Sequence, residues 1–246
     1  MSGVLNFVSL TSKLDHREHP EHEELSVNGS NHHRPMSTND LFIKDAFLVF
    51  RAMCKLTMKP LNTERHAPSS LSASAHLEPI SYSSERDLKS HGMRSKLLSL
   101  HMVLIILSSH MDIVASPTSI IYSSSSHEAS SFIQMADQYL CLCLSRNAVS
   151  PVPQVFEISV EIFWRTLSGL RAKLKKEIEV LFHEIFIPIL EMKTSTLKQK
   201  LVIVSMLSKL CQDPQALVDI YINYDCDSEA ADNIYEQSVF TLSGIC

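Results

Sequence analysis

From Glu128 to the C-terminus, apolar residues return every three or four positions, and the rhythm breaks only at residues that start or stop helices. Leu197, Leu201, Val204, Leu207 and Cys211 step in this way, with Lys198 and Lys209 turned outward. The pattern predicts helices over about 129–146, 153–168, 171–191, 196–211, 214–224 and 228–242. Pro151 and Pro153 separate the first two, because the residue before proline disfavours helix. Thr196 and Gln199 form a capping box, and Asp213 caps a helix that opens on Pro214. Pro188 kinks or ends its helix. No run alternates with period two. Short connections between helices of similar length bring neighbours together antiparallel. The expected fold is all-α, an armadillo/HEAT-like stack of antiparallel helices.

The N-terminal half is less regular. Residues 1–38 read as a polar, poorly ordered segment; His16, His19 and His22 within it lack the shell that would make them metal ligands. Order is expected from 39 to 242. Asn39 or Asp40 caps a helix in which Ile43, Phe47, Phe50 and Cys54 share one face. Residues near 60–84 read as a mobile Ser/Pro-rich loop, a second helix runs from about 85 to 107, and 108–128 is a further loop. Leu97 to Ala115 is the most hydrophobic window, but His101, His110 and Asp112 interrupt it, so a buried helix is favoured over a membrane span.

Only five of 246 residues are glycine, which argues against folds built on glycine-rich phosphate loops. A net charge of −5, with both signs mixed along the chain, offers no broad basic face for nucleic acid. The run Arg171 to Lys176 falls within a helical pattern and reads as a solvated face; Arg165, Lys173 and Lys176 remain candidates for anionic contact. Trp164 is expected between helices. Six cysteines occur without a CxxC, five of them in or beside apolar helical runs, and no secretory signal precedes them. A reducing, cytosolic compartment is expected.

Asn223 to Glu236 carries the densest chemistry. Asp225, Asp227, Glu229 and Glu236 stand at positions 1, 3, 5 and 12 of an EF-hand loop, but Ala230 occupies the position that needs glycine and Asp232 one that is normally apolar. A helix start capped by Asp227 or Ser228 fits better, with Glu229 at the positive end of the dipole. Catalytic use of the acids beside Tyr221 and Tyr224 lacks a nucleophile, an oxyanion hole or zinc-ligand spacing. An interaction element, with Tyr and Asp exposed to a partner, stays open beside plain capping.

Val218-Asp-Ile-Tyr-Ile-Asn-Tyr-Asp-Cys-Asp227 resembles the "homology upstream" box of the large Arf guanine-nucleotide exchange factors of the brefeldin A-inhibited type. Lys44 to Leu61, Arg94 to Leu100, Gln138 to Cys141, Val152 to Glu157, Ile178 to Val180 and Glu184 to Phe186 follow in that family's order. The resemblance implies a regulatory helical region, with no metal or other cofactor and no catalysis of its own. It implies contacts with the N-terminal dimerisation and cyclophilin-binding domain, a regulatory link to Arf-type small GTPases, and peripheral placement at Golgi and trans-Golgi membranes. Asn223, Tyr224, Asp225 and Asp227 would then make an interdomain contact or brace a helix end. By the same resemblance the chain is expected to be a fragment: nothing in it resembles the family's exchange or dimerisation domain, and after Gln237 it departs from the family pattern. A general α-solenoid adaptor is the rival reading.

Overall fold

The computed structural model describes residues 37–60, 90–122, 129–228, 230 and 233–245. Nearly all of 1–38, with His16, His19 and His22, lies outside these residues, as does most of the 60–84 loop.

Helix α1 (Thr38–Thr57) begins at Ser37, not at Asn39 or Asp40. The Ser37 hydroxyl accepts the Asp40 amide at 3.1 Å while the Asp40 carboxylate accepts the Ser37 amide at 3.0 Å. Asp40 is therefore the third-residue partner of a capping box, a pairing in which a carboxylate replaces the usual Glu or Gln. Ile43, Phe47, Phe50 and Cys54 are buried, as their spacing requires. Helix α2 (His91–Ser109) is capped by Ser90 and α3 (Met111–Ala115) follows directly. Gly169, on α5 (Pro153–Leu170), admits α3: a Cβ there would lie 2.5 Å from Met111 Sδ.

The expected loop at 108–128 instead holds the end of α2, then α3, and the strand β1 (Ile120–Tyr122). β1 pairs antiparallel with β2 (Ala129–Ser131), Ile120 opposite Ser131. Three residues per strand are too few to show a period of two, and only Ile121 is buried. The strand also delays α4 (Phe132–Asn147), which starts from a Ser131–Gln134 capping box.

The run predicted over 171–191 is interrupted. Arg171 to Leu174 turn between helices, with Leu174 at φ −116° and ψ 44° and its side chain buried, so the basic run spans a connection and is not a helix face. Helix α6 (Lys175–Leu181) then passes through a π-helical turn (Phe182–Phe186) into α7 (Ile187–Glu191). Pro188 has no N–H and its ring crowds the carbonyl four residues back. The widened turn absorbs that clash, and the Ile187 amide reaches the Phe182 carbonyl.

Helix α8 (Leu197–Cys211) shows the predicted Thr196–Gln199 box, at 3.2 Å and 3.1 Å. Its buried residues are Ile203, Met206, Leu207 and Leu210. Leu197 and Leu201 are 73% and 58% exposed, and Cys211 is exposed. The helical period was right but the face was offset, because α8 packs on α5, α7 and α9 (Pro214–Ile220) along the Ile203–Leu210 side only. Asp213 caps α9 as predicted, its carboxylate 3.1 Å from the Ala216 amide. A second π-helical turn (Tyr221–Asp225) follows, and the last helix, α10 (Ile234–Ile245), starts six residues later than expected.

These helices stack in layers: α1 on α2 and α4, α2 and α4 on α5, α5 on α8, and α10 against α7 and the second π turn. The fold is the expected all-α solenoid-like stack with one small hairpin. Aromatic edges lock the layers. Phe132 meets Phe47 and Phe50, each at 5.9 Å between ring centres, and Phe163 meets Phe186 at 4.4 Å and Phe182 at 5.3 Å. Trp164 is half-buried against this core. Among the described residues no helix is long and apolar enough to cross a membrane.

Two carboxyl groups oppose this packing. Burial pushes the Asp137 carboxyl up from its ordinary value, although the Cys141 thiol donates to it at 3.5 Å. Glu177 is also raised, mainly by burial, with repulsion from Asp137 adding. A carboxyl raised in the folded state binds its proton more tightly there, so stability falls as pH rises from the ordinary carboxyl range through the folded value. Asp137→Asn should therefore raise the melting temperature at pH 7 and lose that advantage near pH 4, measured by thermal unfolding across pH.

Candidate contact site around Tyr224

Helix α9 and the π turn that continues it are apolar on two faces. Ala216, Ile220 and Tyr224, spaced by four, point inward and are buried. Val218, Tyr221 and Ile222 point outward, Tyr221 and Ile222 being 50% and 56% exposed. The four-residue step carries Tyr224 into the core through the π turn. Only 2% of it is exposed, and its hydroxyl donates to the Lys175 carbonyl at 3.0 Å. Burial, with Glu179 and Glu177 nearby, pushes its phenol well above the ordinary value. The hydroxyl thus stays a neutral donor, pinning the second π turn to the start of α6.

The remaining polar groups extend that brace. Lys175 pairs with Asp227, and its ammonium lies 5.7 Å from the centre of the Tyr224 ring. Asp219 accepts from Arg171 at 2.7 Å and from Gln215 at 2.8 Å, and the Arg171 hydrogen bond holds its carboxyl below the usual range. Asn223 is exposed and donates to the Asp219 carbonyl at 2.8 Å. Asp225 reaches across the loop: its two oxygens accept the Tyr235 and Glu236 amides, each at 2.9 Å. It caps α10 from ten residues away, a role that sequence spacing assigned to Asp227 or Ser228.

The structure therefore brings Asn223, Tyr224, Asp225 and Asp227 together, but not as an exposed patch. Tyr224 is not the outward tyrosine the sequence suggested; Tyr221 is, and its ring meets that of Tyr235 at 5.7 Å. Glu229 and Asp232, which figure in the EF-hand spacing, lie outside the described residues. Among the described residues no three His, Cys, Asp or Glu side chains gather as a metal site. Sequence reasoning missed Lys175, Arg171 and the Val218–Tyr221–Ile222 stripe. The signal was there: a short helix apolar on more than one face has more surface to cover than one core supplies.

The site is thus an internally braced turn beside an exposed apolar stripe. Residues 42–233 match the model of the Mon2/Sec7/BIG1-like HUS domain. The chain belongs to that family. It is 43% identical over 209 residues to the ADP-ribosylation factor guanine nucleotide-exchange factor sec71 of Schizosaccharomyces pombe, covering 85% of this chain and 10% of the relative. It is 44% identical over 202 residues to Brefeldin A-inhibited guanine nucleotide-exchange protein 1 of Homo sapiens, covering 82% and 9%. To the exchange factor SEC7 of Saccharomyces cerevisiae it is 42% identical over 192 residues, covering 78% and 8%. The chain spans about a tenth of the length of these relatives.

Proposed function

We propose that this chain is a regulatory, non-catalytic scaffold region of an Arf guanine-nucleotide exchange factor working in vesicle transport at the Golgi and trans-Golgi network. The observation that carries this reading is the match over residues 42–233, from a stack whose relatives are named as exchange factors. The site chemistry agrees with a contact role. Asp219, Asp225 and Asp227 are spent on ion pairs and helix capping, which leaves α9 stiff and its outer stripe presented. In this reading the stripe Val218–Tyr221–Ile222 meets the N-terminal dimerisation and cyclophilin-binding domain of the same kind of protein. The braced residues Asn223, Tyr224, Asp225 and Asp227 hold it in register. Arf-type GTPases and the cytoplasmic face of the membrane are reached through the longer protein.

Calorimetry against a family-type dimerisation domain tests this. Tyr221→Ser/Ile222→Ser should weaken binding at least about tenfold, with helicity by circular dichroism unchanged, since central aromatic contacts dominate interfaces. Equal binding by the variant would move the interface elsewhere. No binding by either form would favour a general α-solenoid adaptor, and faster nucleotide release from an Arf protein with this chain alone would overturn the non-catalytic reading.

A further inference from the structure

At the C-terminal end of the stack, α8, α9 and α10 leave a pocket of about 90 Å³ between them. Its floor is made of buried side chains: Phe182 of the first π turn, Leu207 and Leu210 of α8, Ile220 of α9 and Ile234 of α10. Its rim is exposed, formed by Cys211 from the end of α8 and by Tyr235 and Val239 from α10. Tyr235 and Val239 also line a broader depression of about 590 Å³. This second space is aromatic and acidic. The rings of Tyr221, Tyr235 and Phe240 line it together with the carboxylates of Asp225 and Glu236.

Walls around an apolar space forgo the contacts that a packed neighbour gives, and an inserted aliphatic side chain restores them. Size decides the kind of insert. An engineered leucine-lined cavity of about 150 Å³ admits benzene, so this smaller pocket takes the end of a Leu, Ile or Met side chain and excludes a lipid acyl chain. In the depression, charge decides. The two Asp225 oxygens each accept one amide at 2.9 Å, which leaves about half of a carboxylate's acceptor sites and all of its charge. Glu236 is exposed and accepts from Asn233 at 2.9 Å through one oxygen only. Among the described residues neither carboxylate pairs with a cation. Two carboxylates beside three aromatic rings suit a planar guanidinium, which stacks on rings and forks to carboxylates, and they repel an acidic segment.

We propose that the pocket and the depression together bind a partner segment that carries an aliphatic residue and an arginine within one helical turn of each other. The aliphatic side chain enters between α8, α9 and α10. The guanidinium lies against Tyr221 and Tyr235 and donates its N–H groups to Asp225 and Glu236. The shared wall of Tyr235 and Val239 sets the short spacing, since residues three or four apart on a helix stand side by side. Tyr235 is held in place for this role, its amide by Asp225 and its ring by Tyr221 at 5.7 Å. The proposal rests on the contact reading of this end of the stack, and adds the chemistry that the partner brings to it.

Selection of phage-displayed random peptides on the full chain, then calorimetry with the winning peptide, tests this. Enriched peptides should pair an aliphatic residue with an arginine three or four positions away. Replacing either by alanine should weaken binding about tenfold or more. The bound peptide should also slow alkylation of Cys211 at the pocket rim. Glu236→Arg should weaken binding to a similar degree, and a peptide with glutamate in place of its arginine should regain affinity for that variant, a rescue that mere structural damage does not permit. No enrichment, or enriched peptides that bind Glu236→Arg as well as the parent, would overturn the proposal. So would self-association in sedimentation that Glu236→Arg abolishes, because a second copy would then be the occupant. Failure of the earlier reading looks different: the selected peptides bind as expected while the dimerisation domain does not. Domain binding without any selected peptide sinks only the present proposal.

Discussion

Tyr224→Ala should destabilise the chain by about 3–5 kcal/mol, the range for truncating a large buried side chain. The expected fall in urea midpoint should come without new binding behaviour in the fraction that stays folded. Two losses combine. The ring leaves a cavity among buried neighbours in the core, and the Lys175 carbonyl loses its hydroxyl donor. Tyr224→Phe separates them: it keeps the volume and should cost only about 1 kcal/mol, the net value of one hydrogen bond. A Tyr224→Ala variant as stable as the parent would mean that the π turn does not hold the ring inside. The comparison also bears on function, because loss of binding in Tyr224→Ala follows from loss of fold. Only Tyr221 and Ile222 report on the surface itself.

How far the sequence could be read depends on how local each cause is. The Thr196–Gln199 box, the Asp213 cap and the Ile43–Cys54 face all rest on residues within a few turns of one another, and all were legible. The Ser37 box was misplaced because Ser37, Asn39 and Asp40 are all competent caps, and only the chain direction before the helix chooses among them. The outward turn of Leu197 and Leu201 was not legible. An α-helix with apolar residues around much of its circumference does not say which of them its neighbours cover, and α5 and α7 chose the adjoining stripe. The candidate box was found at the right residues through its resemblance to a known region. Its geometry was misjudged although the four-residue step from Ala216 through Ile220 already pointed to Tyr224 as the ring on the buried face.

Asp225 sets the second large effect. The start of α10 presents the Tyr235 and Glu236 amides to a single carboxylate, so one side chain satisfies two of the donors that every helix start leaves open. Asp225→Ala should cost about 2 kcal/mol, the upper end for removing a cap. The loss should also be local, since α10 meets the stack mainly along α7 and the second π turn. Hydrogen exchange followed by mass spectrometry should show faster exchange across 234–245, with α5 and α8 unchanged. Asp225→Asn discriminates between charge and shape: its amide retains one acceptor oxygen, so about half of the protection should return. Uniform acceleration over the whole chain would show that α10 and the stack unfold as one unit. Unchanged exchange would show that the cap carries no weight, and α10 would then be held by Ile234 and its apolar contacts alone.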